Sequence, residues 1–303
     1  MDRFKALSIF VAVAEEGGFA AAGRRLGLSA PSVTRLVLEL ETELGAVLFH
    51  RTTRSVHLTQ AGEGFLGRAV QLLADMEDAV QAVAGAQLEP RGHVRITGSV
   101  LFGRIVLTPL LFELMDLYPT LLFSSLFVDR IVHMVDEGLD VAIRLAHLPD
   151  STLTAVRVGE VRRVLCASPD YLETHGMPVS VGDLASHEIV QFSQNLDREA
   201  WTFHENGRGI TFRASPRLMV NNADSAIAAA LDGRGVTRVL SYQVADHVAA
   251  GRLVHVLTEN EGEPIPVHVV HKEGARVSRR VRVVVDHLVS GLRASPLLIA
   301  GST

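Results

Sequence analysis

Apolar residues recur at three- and four-residue intervals through most of positions 1–86, then gather into short runs separated by polar turns. That change of period divides the chain into a helical part and a mixed part. Leu7, Phe10, Val11 and Ala14 make one stripe of a helix predicted over 4–15 and stopped by Gly17-Gly18. The Ala-rich segment FAAAGRRL (19–26) predicts a second helix, in which Ala20, Ala21 and Ala22 permit close approach. Only Gly27-Leu28 separate it from a third helix beginning at Ser29, and two short helices joined by so brief a glycine-bearing turn form a helix-turn-helix. Ser29 suits the N-cap and Pro31 the first turn, where no intrahelical N–H bond is lost. Val33, Leu36, Val37, Leu40 and Leu44 are the expected buried stripe.

The exposed side of that third helix begins with small residues and carries its acids, Glu39, Glu41 and Glu43, further along. A bare first turn with Ala30, Pro31, Thr34 and Arg35 facing outward suits insertion into a DNA major groove. Two short extended stretches then flank the basic loop 50–55, which reads as a wing placing Arg51 and Arg54 on phosphates or in a minor groove. From Thr59 to about Ala86 one long helix is predicted. Its apolar positions Phe65, Ala69, Leu72, Met76, Ala79 and Val83 alternate steps of four and three. This a/d pattern fits a dimerising coiled coil, or a helix packed against its own domain. Residues 87–92 then break the helix and form a hinge.

Beyond His93 strands and helices alternate, which predicts an α/β domain of two lobes. Expected strands are 94–97, 121–128, 141–145, 162–167, 236–240 and 267–271; expected helices are 104–117, 130–137, 224–231 and 279–292. Ligands of such sheets sit at strand-to-helix junctions. Thr97–Phe102 occupies one and Asn221-Asn222 another; helix capping alone also accounts for their polar groups.

Composition narrows the choices. The 303 residues are 48% hydrophobic and 21% charged, as in an ordinary globular protein, with a net charge of −5. Residues 1–58 hold seven Lys/Arg and six Asp/Glu, a net of +1, so a DNA reading rests on where charges sit rather than on their total. The single cysteine, Cys166, excludes an intramolecular disulfide and a thiolate zinc cluster and fits a reducing cytoplasm; as a residue it reads as a small buried hydrophobe. The apolar run 6–14 imitates a short signal peptide, but its helical stripe explains it, and no run reaches the roughly 18–20 residues of a membrane span. Gly62, Gly64 and Gly67 match G-x-G-x-x-G, yet no second strand follows, so a dinucleotide site is not expected. Thirteen histidines give no metal pattern: His268 and His271 fall on opposite faces of a predicted strand. No H-E-x-x-H, P-loop or G-x-S-x-G occurs. A secreted solute-binding protein would leave residues 1–90 unexplained, and a nucleoid-type binder would need strong positive charge.

The segment FVAVAEEGGFAAAGRRLGLSAPSVTRLVLELETELGAVLFHRTTRSVHLTQAGE, with FGRIVLTPLL, DEGLDVAIR, RRVLCASPDYL and AAALDGRGVTRVLSYQV later, resembles the LysR-type transcriptional regulators over about Met1–Leu292. The resemblance implies an α plus α/β chain: a winged helix-turn-helix (1–58), a linker helix and hinge (59–90), and a two-lobed effector domain (91–303) like periplasmic binding proteins. Lobe I would take about 91–160 and 266–301, lobe II about 161–265. It places DNA contacts on Ala30, Pro31, Ser32, Thr34, Arg35, Arg51, Thr52 and Arg54. Effector contacts fall on Ser99, Val100, Leu101, Phe102, Val128, Phe192 and Asn222, and dimer contacts on Phe65, Ala69, Leu72, Met76 and Val83. Implied partners are promoter DNA, a small-molecule effector, RNA polymerase and further copies of the chain in a homodimer or homotetramer, with no metal or cofactor. Two departures stand out. Ala30 replaces a frequent Gln, trading a bidentate adenine contact for packing on a thymine methyl. Leu101 replaces a frequent Ser, which favours a less polar effector or one held by Ser99 and backbone groups.

Overall fold

The computed structural model describes residues 2–51, 56–84, 89–149, 151–205, 207–272 and 278–298, with backbone alone at 51, 77–79 and 81–84. Helices α1 (Arg3–Glu16), α2 (Phe19–Leu26) and α3 (Ala30–Leu44) come first. The hairpin of β1 (Phe49–Arg51) and β2 (Val56–Leu58) follows, with Phe49 paired to Leu58 and Arg51 to Val56. The long helix α4 (Gln60–Ala84) is capped by Thr59, whose hydroxyl accepts from Gly62 N–H at 3.0 Å. Gly17, Gly27 and Gly45 end the first three helices in the left-handed conformation, where glycine carries no Cβ penalty. Gly23 is needed for another reason: a Cβ there would lie 2.7 Å from the Leu28 carbonyl oxygen, so α2 and the turn close only over glycine.

Phe10, at the centre of this domain, sits 5.3 Å from both Phe49 and Phe65 in tilted ring contacts. Val33, Val37 and Leu40 are buried with them and Leu36 is half-buried. Leu44 departs from the predicted stripe: it is exposed, one residue before the helix stops at Gly45. In its place Glu41 is buried, and its carboxylate accepts from the N–H groups of Leu48 (2.8 Å) and Phe49 (3.2 Å). A charge that sequence alone assigns to solvent thus ties α3 to the first strand of the wing.

Two five-stranded sheets follow. The first holds β3 (Gly92–Gly98), β4 (Leu121–Phe127), β5 (Val141–Leu145), β6 (Leu153–Val161) and, from the far end of the chain, β14 (Ile265–Lys272). Its order is β4-β3-β5-β14-β6, parallel across β4, β3 and β5 and antiparallel at β14. The second holds β7 (Arg163–Ala167), β8 (Ile189–Phe192), β11 (Leu218–Val220), β12 (Val236–Leu240) and β13 (Val254–Val256), in the order β11-β8-β12-β7-β13. Between β8 and β11 in sequence, β9 (Ala200–Glu205) and β10 (Arg208–Arg213) form a separate hairpin. The chain passes from one sheet to the other after β6 and returns after β13, which defines two lobes joined by two crossings.

Helices cover the sheets. After β3 the chain winds through α5 (Val100–Phe102), a π-helical turn (Gly103–Leu107) and α6 (Thr108–Leu117) without a break. On the second sheet lie α7 (Pro169–His175), α8 (Ala223–Leu231) and α9 (Ser241–Ala249), and α10 (Arg279–Ala294) returns to the first. The expected helix at 130–137 does not form. Residues 128–140 run as an irregular strap with a turn at 134–138, burying Val132, Met134 and Leu139 against Ala142 and Val270. Gly138, at φ +64, ends that turn in a conformation a helix cannot continue. Cys166 is fully buried on β7, where burial pushes its thiol up to about 12.

Candidate functional site

Ser29 caps α3, as its residue type predicts. Ser29 Oγ accepts from Ser32 N–H at 3.3 Å and lies 2.8 Å from Ser32 Oγ. Pro31 and Arg35 are exposed, and Ala30, Ser32 and Thr34 are half-buried. Thr34 Oγ1 donates to the Ala30 carbonyl at 2.9 Å, so its hydroxyl meets a partner outside the helix as an acceptor, with its methyl alongside. Arg35 Nη1 rests 3.1 Å from Glu39 Oε1. An exposed pair at this spacing contributes about 0.3–0.5 kcal/mol, so a phosphate or a base can take the guanidinium at little cost. Arg51 is placed by its backbone in β1; Thr52 and Arg54 lie outside the described residues.

The proposed dimer seam splits in two. Phe65, half-buried, and Ala69, with no exposed surface, pack into the core of their own DNA-binding domain. Leu72 (49% exposed) and Met76 (44%) continue the row outside that core, with the exposed Val80 (55%) one turn beyond Met76; the side chains of Ala79 and Val83 are not among those described. The heptad repeat therefore serves the same-chain core at its start and faces outward after about position 70.

Between the two lobes lies a cavity of about 270 Å³. Ser99, Val100, Leu101, Val128, Phe192 and Asn222 all line it. Phe102 does not: it is fully buried and meets the Tyr242 ring edge-on at 5.2 Å, so it supports a wall residue from behind. Thr97, at the junction the sequence marks, lines it as well, whereas sequence reasoning missed Asp129, Arg130, Arg144, Gln194, Asp224, Tyr242 and Gln243, which add polar groups to the lining. Tyr242 sits at a strand-to-helix junction of the same kind as Ser99 and Asn222, and Arg144 is the one charge in the run VAIRL; both were findable signals.

Several of the polar groups here have partners. Asp129 Oδ1 accepts from Val100 N–H at 3.0 Å, where the helical run opens. Arg130 forks onto Glu137 at 2.8 and 2.7 Å, and the guanidinium holds the Glu137 carboxyl below the usual carboxylate range. Arg144 Nη2 donates to the Val132 carbonyl at 2.5 Å, and burial lowers its pKa. Asn222 Oδ1 caps α8 by accepting from Ser225 N–H at 2.8 Å, so its NH₂ is the group left for a ligand acceptor. Arg104 of the first lobe meets Asp224 of the second at 3.0 Å, bridging the lobes at the cavity. Burial pushes the Tyr242 phenol up to about 12, which keeps it a neutral hydroxyl. Ser99 Oγ differs: it is buried opposite Tyr242 without a well-formed hydrogen bond. A buried hydroxyl in that condition is costly unless something else occupies it. No group of His, Cys, Asp and Glu among the described residues could hold a metal, and no described helix is long and apolar enough to cross a membrane.

Comparison with known proteins accords with this arrangement. Residues 4–63 match the bacterial regulatory helix-turn-helix domain of the lysR family, and residues 87–293 match the LysR substrate binding domain. An HTH-type transcriptional regulator of Xanthomonas campestris is 33% identical, over 94% of this chain and 84% of that protein. The transcriptional regulator DmlR of Escherichia coli is 32% identical, over 93% and 92% respectively. The solved structure of CrgA, a LysR-type regulator from Neisseria meningitidis, is 28% identical and superposes with a TM-score of 0.62, covering 95% of this chain and 98% of CrgA. From its helix-turn-helix to its two-lobed effector domain, the chain belongs to the LysR-type transcriptional regulators.

Proposed function

We propose that this regulator reads promoter DNA with Ala30, Pro31, Ser32, Thr34 and Arg35 in the major groove and with the wing around 51–54 on the backbone. The small-residue first turn of α3, with Pro31 and Arg35 exposed, carries that reading, because a helix that only packed a core would have no use for it. Leu72, Met76 and Val80 join two chains along α4, and further pairing of effector domains gives a homotetramer. The assembly works in the cytoplasm, with RNA polymerase as the neighbour of promoter-bound protein.

The interlobe cavity takes the effector. Its apolar walls, Leu101, Val128, Ile143, Phe192 and Leu240, suit a compact hydrophobic body. Ser99 Oγ, the Tyr242 hydroxyl and the Asn222 amide supply donors for a single acceptor-bearing head. A small-molecule screen by thermal shift on the full chain, repeated on Ser99→Ala, tests this. Compounds with one polar head should stabilise wild type and lose most of that effect in the variant. A set of highly polar acids that stabilise both proteins equally would refute the assignment.

A further inference from the structure

The strap 128–140 touches both functional halves of the protein. Its first residues, Val128 to Val132, line the cavity. It is fastened there by Val128 N–H on the Gly98 carbonyl (3.0 Å) and by Asp129 on Val100 N–H (3.0 Å). Its far end is fastened to β3, where Asp140 N–H donates to the Arg95 carbonyl (2.9 Å) and the Asp140 carboxylate accepts from Arg95 N–H (2.8 Å). Between these anchors the strap is braced across itself. Glu137 holds Arg130 through two hydrogen bonds and also accepts from His133 N–H at 3.3 Å.

The turn at 136–138 then rests on the linker helix. A Cβ at Gly67 of α4 would come 3.0 Å from the Asp136 carbonyl oxygen, and one at Gly138 would come 3.1 Å from the Gly67 carbonyl oxygen. Backbone therefore meets backbone at this point, with glycine on both sides. The G-x-G-x-x-G segment gains a structural explanation at two of its glycines. Gly62 seats α4 against the Leu48 carbonyl beside the wing, and Gly67 seats it against the effector domain.

We infer that the strap 128–140 is the mechanical link by which the state of the cavity reaches the linker helix, with Glu137 as its positioning residue and the Gly67–Gly138 contact as its output. A ligand that draws Arg130 toward the cavity must loosen the fork on Glu137, and Glu137 sits in the very turn that presses on α4. The link rests on the cavity being the effector site, but its mechanics are testable without any ligand.

The experiment is hydrogen–deuterium exchange on the full-length protein, comparing wild type with Arg130→Gln, Glu137→Gln and Gly67→Ala. Breaking the fork from the cavity end should speed exchange in α4 over 60–72 at least about threefold and leave α8 (223–231) unchanged. Gly67→Ala should speed exchange at 128–138 from the other end. Alanine favours helix over glycine, so loosening there would not come from a weakened α4. Reciprocity is required of a true coupling, and the double variant Glu137→Gln/Gly67→Ala should add little to either single change. Effects confined to each variant's own end, or a strictly additive double variant, would overturn the proposal. Because no ligand is used, a cavity that binds nothing would leave this result standing and would instead appear as failure of the thermal-shift screen.

Discussion

Replacing Glu41 with alanine should unfasten the wing from the recognition helix. The carboxylate accepts from two N–H groups, those of Leu48 and Phe49, whose residues are 1% and 2% exposed. Removing it leaves both donors without that acceptor in a place water scarcely reaches. An unsatisfied buried donor costs about 1–3 kcal/mol, so the pair is worth roughly 2–5 kcal/mol, less whatever water gains by filling the vacated space. A middle value of about 3 kcal/mol is roughly a hundredfold change in a local opening equilibrium. Amide exchange at 48–50 in the full-length protein, followed by mass spectrometry, should accelerate by that order. Glu41→Gln, which keeps a neutral acceptor of the same length, should show a much smaller effect. DNA affinity should fall in parallel, since the wing loses its fixed angle to α3. Protection at 48–50 unchanged within about threefold in Glu41→Ala would refute the claim that this buried charge positions the wing.

Gly23→Ala should destabilise the helix-turn-helix by about 1–3 kcal/mol, because its methyl would lie 2.7 Å from the Leu28 carbonyl; Gly18→Ala, with nothing within 4 Å, serves as the control, and equal thermal midpoints would contradict this. Cys166, buried with its thiol near 12, should resist an aromatic disulfide reagent until the protein unfolds; rapid labelling of the native chain would show the β7 packing to be wrong. The Arg130–Glu137 fork depresses the Glu137 pKa, so its contribution is complete above the ordinary carboxylate range and is lost as pH falls through the lowered folded value. Exchange at 128–138, corrected for its intrinsic rate, should therefore rise as pH falls below the ordinary carboxylate range. Glu137→Gln should reduce that dependence, leaving the part due to Asp140, and an unaltered profile in the variant would count against the fork.

The DNA-binding half is readable from sequence because its signals are local. Ser29, Gly17 and Gly27 mark helix ends through their own backbone and side-chain chemistry, and the structure places caps at each, with Pro31 in the first turn of α3. Glu41 and Leu44 exchange the burial that periodicity assigns them, because the wing offers two N–H groups that only tertiary contact brings within reach. The strap misleads for a similar reason. Its apolar residues can be read at helical spacing, yet Val132, Met134 and Leu139 bury themselves on the sheet in an irregular run, and Gly138 turns left-handed. Part of the cavity, Thr97–Leu101 and Asn222, was legible at strand-to-helix junctions, where polar residues follow apolar runs. Asp129 and Arg130 were not, since their charges face the cavity only after the strap folds back over β5, where Arg144 meets the Val132 carbonyl.

The central claim is that α3 enters DNA by its first turn. Fluorescence anisotropy of the full-length protein on the DNA upstream of its own gene, titrated with salt, tests it most directly in wild type and Arg35→Ala. The account predicts preference for that DNA over a scrambled duplex, weakened by about 1–3 kcal/mol in Arg35→Ala if the guanidinium reads a base, or uniformly with a salt slope reduced by about one if it holds a phosphate. Wild type that prefers its own upstream DNA, with Arg35→Ala matching it in affinity, specificity and salt slope, would contradict it.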